Sequence, residues 1–500
     1  MSGTGAGILV VDVGTSGVRA AIVRPDATVD HEHRVPLLPD TPAPGLVEFD
    51  AARMADAILA VALAALEDGG PVAGVGIANQ RASSIVWERA TGQPVAPGIG
   101  WQDLRTVGTC LVLQAEGIRL APNASATKVM AILDEVDPER ARAERGELCF
   151  GTVDSWVAWT LSGGAGSAGD ALHVTDATNA AVTALVDRSI AWDEALLQKL
   201  RVPSPMLPSI VDSSGTIGLA AALPGAPPIC GMAGDQQASL VGQGCTLPGL
   251  AKATFGTGGM LDQCTGPGAP PVSVERGGAG TFPIVAFRVG GEATWGTEAV
   301  MLSAGTAIEW LRDDLGIIAT AQESEGVAAQ CASSGDVWFV PALLGLGTPV
   351  WDFGARGTLV GLTRGSGRPE IVRAVLEGVA HRGADLVDAS ESDSGFPIAA
   401  LRVDGGMTDN AVFIEALADA IGRPVEISPI QEATTLGAGL LAGLAVGTYA
   451  STTDLAATFS PRRTVEPKGN DADRAASRER WSAARRKAEG TIPELSGISF

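Results

Sequence analysis

A chain of 500 residues exceeds what one core can organise, since cores stop growing near ~250–300 residues, so two domains are expected. Hydrophobic residues make up 46% and charged residues 18%, a globular profile that argues against a disordered chain. The formal net charge of −22 argues against nucleic acid or an anionic membrane as partner, and requires any phosphate ligand to be held locally, by backbone N–H groups and a metal ion.

The first element is "ILVVDVGTSGVRAAIV", residues 8–23. An apolar strand reaches Asp12, Gly14-Thr15-Ser16-Gly17 turns, and a second strand returns toward Pro25, which predicts a β-hairpin. A Walker A loop is excluded, because no lysine follows the glycines and no helix begins there. The hairpin alone leaves Asp12 open between a turn-initiating acid and a functional one. Met1 to Gly7 is small and polar, with no signal peptide, so a cytoplasmic protein is expected. His31 and His33 sit in a charged stretch expected as an exposed loop. The six cysteines form no C-x-x-C pair and are expected as reduced thiols. Helical patterns follow at Ala51 to Leu66, Ala126 to Val136 and Asp193 to Leu200, alternating with short strands such as "VAGVGIANQ", which makes the class mixed α/β.

In the second half "AKATFGTGGMLDQC" repeats the layout of strand, Gly256-Thr257-Gly258 turn, strand. Such a recurrence predicts an internal duplication, with domains over 1–244 and 245–500 facing one another across a cleft. Thr15, Ser16 and Thr257 would then offer hydroxyls, and their turns backbone amides, to phosphate oxygens. In "LRVDGGMTDNAVFIEALADAIGRPV" a strand ends at Val403, Gly405-Gly406 turns, and an amphipathic helix runs to about Ile421, stopped by Gly422 and Pro424. A nucleotide can approach such a turn closely, although a plain strand-to-helix connection reads the same way. Residues 434–450 approach the length of a membrane span, but Gly439, Gly443 and Gly447 at four-residue spacing predict a buried helix packed closely on a neighbour, and no span is expected. Residues 467–490 are charged and predict a surface helix.

"GIANQRASSIVWERATGQPV", "IGWQDLRT", "FGTVDSWVAWTLSGG", "HVTDATNAA", "CGMAGDQQASLVGQG", "FVPALLGLGTPVWDFGARGTLVGLTRG" and "VDGGMTDN" occur in that order. With these blocks the chain resembles, over nearly its whole length, the FGGY carbohydrate kinases of the actin and hexokinase superfamily. The resemblance implies two ribonuclease H-like domains flanking a catalytic cleft, and ATP-dependent phosphorylation of a primary hydroxyl of a small polyol or sugar, with Mg²⁺. Phosphoryl transfer depends mostly on positioning and charge neutralisation, yet a hydroxyl nucleophile still needs a proton acceptor. Asp235 matches the family's catalytic base, and Gln236, Arg81 and Trp101 match residues around the substrate. Asp12, with Asp235, matches the acids that hold hydrated Mg²⁺, an ion that keeps several waters and takes one or two carboxylates. Thr15, Ser16, Gly17 and Arg19 match the phosphate-facing hairpin, Thr257 its counterpart in the second domain, Gly305 a nucleotide contact, and Gly406 and Asn410 the adenosine-side turn. A homodimer or higher homo-oligomer is expected.

Three positions depart from the members of the family that act on glycerol. Ala82 stands where they carry glutamate, Asn123 where they carry tyrosine, and Met260 where an aromatic residue packs on the substrate. Losing a buried hydrogen-bond partner costs ~1–3 kcal/mol. The shorter side chains imply a roomier pocket, suited to a C4 to C5 polyol or ketose of the tetritol, erythrulose, xylulose or ribulose type. The alternative is a site for glycerol compensated by water or other side chains. From another class, a non-catalytic nucleotide- or sugar-binding sensor stays open.

Overall fold

The computed structural model describes residues 6–164, 171–269 and 276–498. Strand β1 (Gly7–Gly14) pairs antiparallel with β2 (Gly17–Val23), from Ile8 opposite Val23 to Gly14 opposite Gly17, which is the expected hairpin. Ile8 to Val11 and Val13 are all at most 3% exposed, because this strand is covered on both faces. Strand β3 (Val29–Pro36) adds antiparallel to β2, and it carries His31 and His33. These histidines therefore lie in a sheet edge and not in a loop; their charged neighbours signal an exposed edge strand equally well. On the other side of β1, β4 (Val72–Asn79) is parallel to it. Strand β5 (Ser214–Leu219) runs antiparallel to β6 (Pro228–Gly234), which continues the sheet parallel to β4.

The second half builds the same unit. Strand β7 (Ala251–Phe255) pairs antiparallel with β8 (Gly259–Gly266); β9 (Phe282–Val289) is antiparallel to β10 (Glu292–Met301), which flanks β8. Strands β11 (Leu401–Asp404) and β12 (Val425–Ile427) then add in parallel, and β13 (Arg463–Val465) closes the edge. Around β1 and around β7 the sequence of pairings is identical, two antiparallel and two parallel neighbours, so the duplication and the ribonuclease H-like class are both present. Among the described residues these thirteen strands form one sheet, ordered β13-β12-β11-β7-β8-β10-β9-β5-β6-β4-β1-β2-β3, and other short strands form three smaller sheets. The halves join where β5 meets β9 through a single registered pair, Ser214 and Val289. Beside it the Ser213 N–H donates to the Arg288 carbonyl at 2.8 Å, and the Arg288 guanidinium reaches Asp212 at 2.6 Å and the Ile210 carbonyl at 3.1 Å.

Helix α1 (Ala51–Gly69) starts at an Asp50 side chain that accepts the N–H groups of Ala52 and Arg53. The site rests on α2 (Asp235–Gly242), which follows β6 directly, while α3 (Arg368–Ser394) and α4 (Ala411–Ile421) cover the second half. Helix α5 (Ala433–Ala445) is apolar all round and buried, and it crosses α2 with backbone against backbone. A Cβ on Gly437 would lie 1.7 Å from the Ala238 carbonyl oxygen, and one on Gly242 1.9 Å from that of Ala433. Of the three glycines picked out by spacing, Gly439 does pack on a neighbouring strand, at Val23. Gly443 faces Tyr449 beyond the helix end, and Gly447 lies past the helix with φ +81°. Among the described residues no helix is long and apolar enough to cross a membrane. Helix α6 (Asp471–Ala488) is more than a solvated face. Trp481 is buried, and Arg478 and Arg485 pair with Asp385 of α3 at 2.6 and 3.2 Å.

Candidate active site

Asp12 lies near the end of β1 opposite Arg19, almost fully buried. Burial pushes its carboxyl up to about 6; Arg19 opposes the shift and the nearby Asp235 reinforces it. The first turn of α5 ties the two acids together: the Thr435 hydroxyl donates to Asp12 at 3.4 Å and the Thr434 hydroxyl to the Asp235 carbonyl at 3.4 Å. Arg19, expected to face phosphate, is engaged by Glu32 at 3.7 Å and by Glu432 just before α5.

Asp235 is the first residue of α2, where N–H groups and the helix dipole favour a carboxylate. Its Oδ1 accepts the Gln236 N–H at 2.8 Å and lies 3.3 Å from Arg81 Nε. Burial raises its pKa and the Arg81 guanidinium pulls it back. Gly234 makes this approach feasible, since a Cβ there would lie 2.6 Å from Arg81 Cγ. Arg81 also places Nη2 2.8 Å from Glu298 Oε2 on β10, so one guanidinium is gripped by acids from both halves of the sequence. Burial alone would lower the Arg81 pKa, but Glu298 and Asp235 outweigh it and keep the group protonated.

Around Arg81 the backbone is unusual. Ala82 adopts φ +62°, and its carbonyl accepts the hydroxyls of Ser125 at 2.9 Å and Ser84 at 3.3 Å. Asn123 is exposed, two residues before Ser125. The Trp101 indole N–H donates to the Thr15 hydroxyl at 3.2 Å, and its backbone N–H donates to the Ser83 hydroxyl at 3.0 Å. Trp101 therefore links the segment at Arg81 to the first glycine turn. In that turn Ser16 accepts from Arg34 at 3.4 Å, and Gly17 fits closely under β3, since a Cβ would lie 2.7 Å from the Val35 carbonyl oxygen.

The second turn is organised in the same way. The Thr257 carbonyl accepts the N–H groups of Ala304 and Thr306 at 3.0 and 3.2 Å, and the Gly305 N–H donates to the Gly256 carbonyl at 2.8 Å. Thr257 and Gly305 are thereby brought together, with Met260 just inside β8 opposite Thr254. At the third turn Gly405 has φ +92°, and its Cβ would lie 2.4 Å from the Phe255 carbonyl oxygen. The chain does not pass straight from these glycines into the helix. A 3₁₀ turn over Gly406–Asp409 intervenes, and Asn410 caps α4, accepting the Phe413 N–H at 3.0 Å and donating to Ser324 at 3.1 Å.

Three charged residues of this region were not singled out in the sequence: Lys252, Asp262 and Glu298. Each is a buried charge within a strand, and a charge in such a place must be paired to be tolerated. Asp12 and Asp235, the second of which raises the pKa of the first, suit a hydrated divalent cation, and among the described residues no cluster of three or more ligating side chains exists.

Comparison with known proteins places these features in context. Residues 7–242 match the model of the FGGY family of carbohydrate kinases, N-terminal domain, and residues 269–446 that of the C-terminal domain. A glycerol kinase of Aromatoleum aromaticum is 42% identical over 502 residues, covering 97% of this chain and 99% of its own. One from Thermus thermophilus is 40% identical over 499 residues, covering 96% and 98%. Among solved structures, Plasmodium falciparum glycerol kinase with ADP superposes with a TM-score of 0.88 at 26% identity over 100% of both chains. A ligand-bound xylulose kinase from Lactobacillus acidophilus gives 0.85 at 20% identity over 98% and 99%, a likeness of fold.

Proposed function

The chain belongs to the FGGY family of carbohydrate kinases, and from that premise we propose that it transfers the terminal phosphoryl group of ATP to a primary hydroxyl of glycerol, with Asp235 as general base. The observation that carries this reading is Asp235 itself, a carboxylate at the start of α2, flanked by Arg81 and Gln236, its pKa raised by burial against the pull of Arg81. Arg81, Gln236 and Trp101 would orient the polyol. The first turn, with Thr15, Ser16, Gly17 and Arg19, would meet the phosphates from one side, and Thr257 from the other. Gly305, Gly406 and Asn410 would line the nucleotide, so that residues 1–244 serve the acceptor and 245–500 the donor. For Arg19 to reach phosphate it must leave Glu432. Mg²⁺, held through Asp12 and Asp235, would neutralise charge on the phosphates.

Glycerol is favoured over a larger polyol or ketose by relatives named glycerol kinase that match at 40% to 42% identity over nearly the whole chain. Glu298 supports it too, as an acid beside Arg81 that the shortened residue at Ala82 cannot supply. Ala82, Asn123 and Met260 are on this reading compensated replacements. A binding-only sensor would have no need of the paired Asp12 and Asp235. ADP release with ATP and Mg²⁺ against C3 to C6 polyols, ketoses and aldoses tests the proposal. Glycerol should give the highest kcat/KM, and Asp235→Ala should lower kcat on it by ~10²–10⁴-fold. Full activity in that variant, or a pentulose as best substrate, would sink it.

A further inference from the structure

Lys252 on β7 and Asp262 on β8 are register partners, both fully buried, with Nζ 2.8 Å from Oδ2. A buried ion pair is a poor source of stability unless its remaining donors are satisfied. Lys252 satisfies them, for Nζ also donates to the Gln236 side-chain oxygen at 2.7 Å and to the Thr254 hydroxyl at 3.2 Å. Three oxygens thus take the three donors of the ammonium. An ammonium has no lone pair to accept with, so the atom of Gln236 facing it must be the amide oxygen. The orientation of that amide is therefore dictated by chemistry, and its NH₂ group is directed away from Lys252.

We propose that Lys252, held in place by Asp262, is a positioning residue that locks Gln236 as a hydrogen-bond donor toward the polyol. Without the lysine the Gln236 amide could flip and present an acceptor instead; with it, Gln236 recognises the oxygen of a substrate hydroxyl and leaves the hydroxyl proton for an acid. This rests on the assignment of the Asp235 and Gln236 region as the acceptor site. It adds a specificity device contributed by the second half of the sequence to residues of the first.

The test is steady-state kinetics on Lys252→Met and on the double variant Lys252→Met with Asp262→Leu, each with and without Gln236→Ala. The double variant removes both charges together and so avoids stranding a buried carboxylate; it serves as the reading if the single variant does not fold. In the folded double variant KM for the polyol should rise by ~5–150-fold, with kcat and the KM for ATP changed by less than about threefold. Adding Gln236→Ala should then raise KM further by much less than it does in the parent chain, because the pair acts as one unit. An unchanged polyol KM in the double variant overturns the proposal, as does a Gln236→Ala effect of equal size in both backgrounds. The series is run on whichever polyol the parent enzyme turns over fastest, so the glycerol reading can fail while this inference is still decided.

Discussion

Asp12 illustrates at the scale of one residue how a site is kept at the expense of stability. Its carboxylate is enclosed by apolar strand and helix, with one long hydrogen bond from Thr435 and a guanidinium shared with two other acids. Asp12→Asn should therefore raise the melting temperature while lowering kcat by at least ~10²-fold, a divergence that calorimetry and the ADP assay read side by side. His381 makes a different prediction. It stacks on Trp481 at 5.3 Å and faces Trp338 at 5.4 Å, and burial, with help from Arg478 and against Asp385, pushes it down to about 3. Between pH 6.5 and that value the unfolded chain holds a proton that the folded chain does not, so this stability is complete above 6.5 and lost as pH falls. Relative to His381→Phe, the parent chain should lose ~1.4 kcal/mol of unfolding free energy per pH unit through the middle of that window, measured by denaturant titration. Asp12 and Asp235 stood out in the sequence through the blocks that resemble the FGGY kinases, since the hairpin alone leaves Asp12 open between a turn acid and a functional one, and Gly234-Asp235-Gln236 alone reads as a polar turn. Lys252 and Asp262 face one another across the second glycine hairpin, so their pairing was within reach of the sequence once that turn was read, whereas Glu298 is explained by Arg81, more than two hundred residues away, and spacing along the chain carries no record of that.

At the scale of elements, the glycine hairpins were readable because turn and return strand are neighbours in sequence, so the local rules suffice. The crossing of α2 with α5 was not, since Ala238 and Gly437 meet across some two hundred residues. The regular spacing of Gly439, Gly443 and Gly447 drew attention away from Gly437, where the backbones touch. Gly437→Ala should lower stability by ~1–3 kcal/mol or more, because the atom it would strike is a backbone oxygen that cannot rotate aside. Gly108→Ala, in the helix Val107–Ala115 with open space around its Cβ, should instead raise stability by ~0.5–1 kcal/mol. Thermal melts of the two variants compare them directly. The C-terminal helix shows a complementary failure of composition: its many charges suggest a free surface, while Trp481 and two arginines of the same stretch anchor it on Asp385.

For the whole molecule, the recurrence of one glycine hairpin was enough to foresee a duplicated unit, but the strand order was not foreseeable, because β5 and β9 are additions outside the repeated five-strand pattern. They are also where the two copies are stitched. A plate of thirteen strands suggests stiffness from edge to edge, yet across its middle only one rung of the ladder is in register, and the Arg288 side chain carries what the missing rungs would have carried. A sheet made this way has a crease. Bending there breaks few backbone bonds, whereas bending between β1 and β4 would break a long parallel ladder. Hydrogen exchange should report the difference: slow amides through β1, β4 and β6, slow again through β7, β8 and β10, and faster exchange along β5 beyond Ser214. Equal protection straight across would mean that the two copies move as one slab.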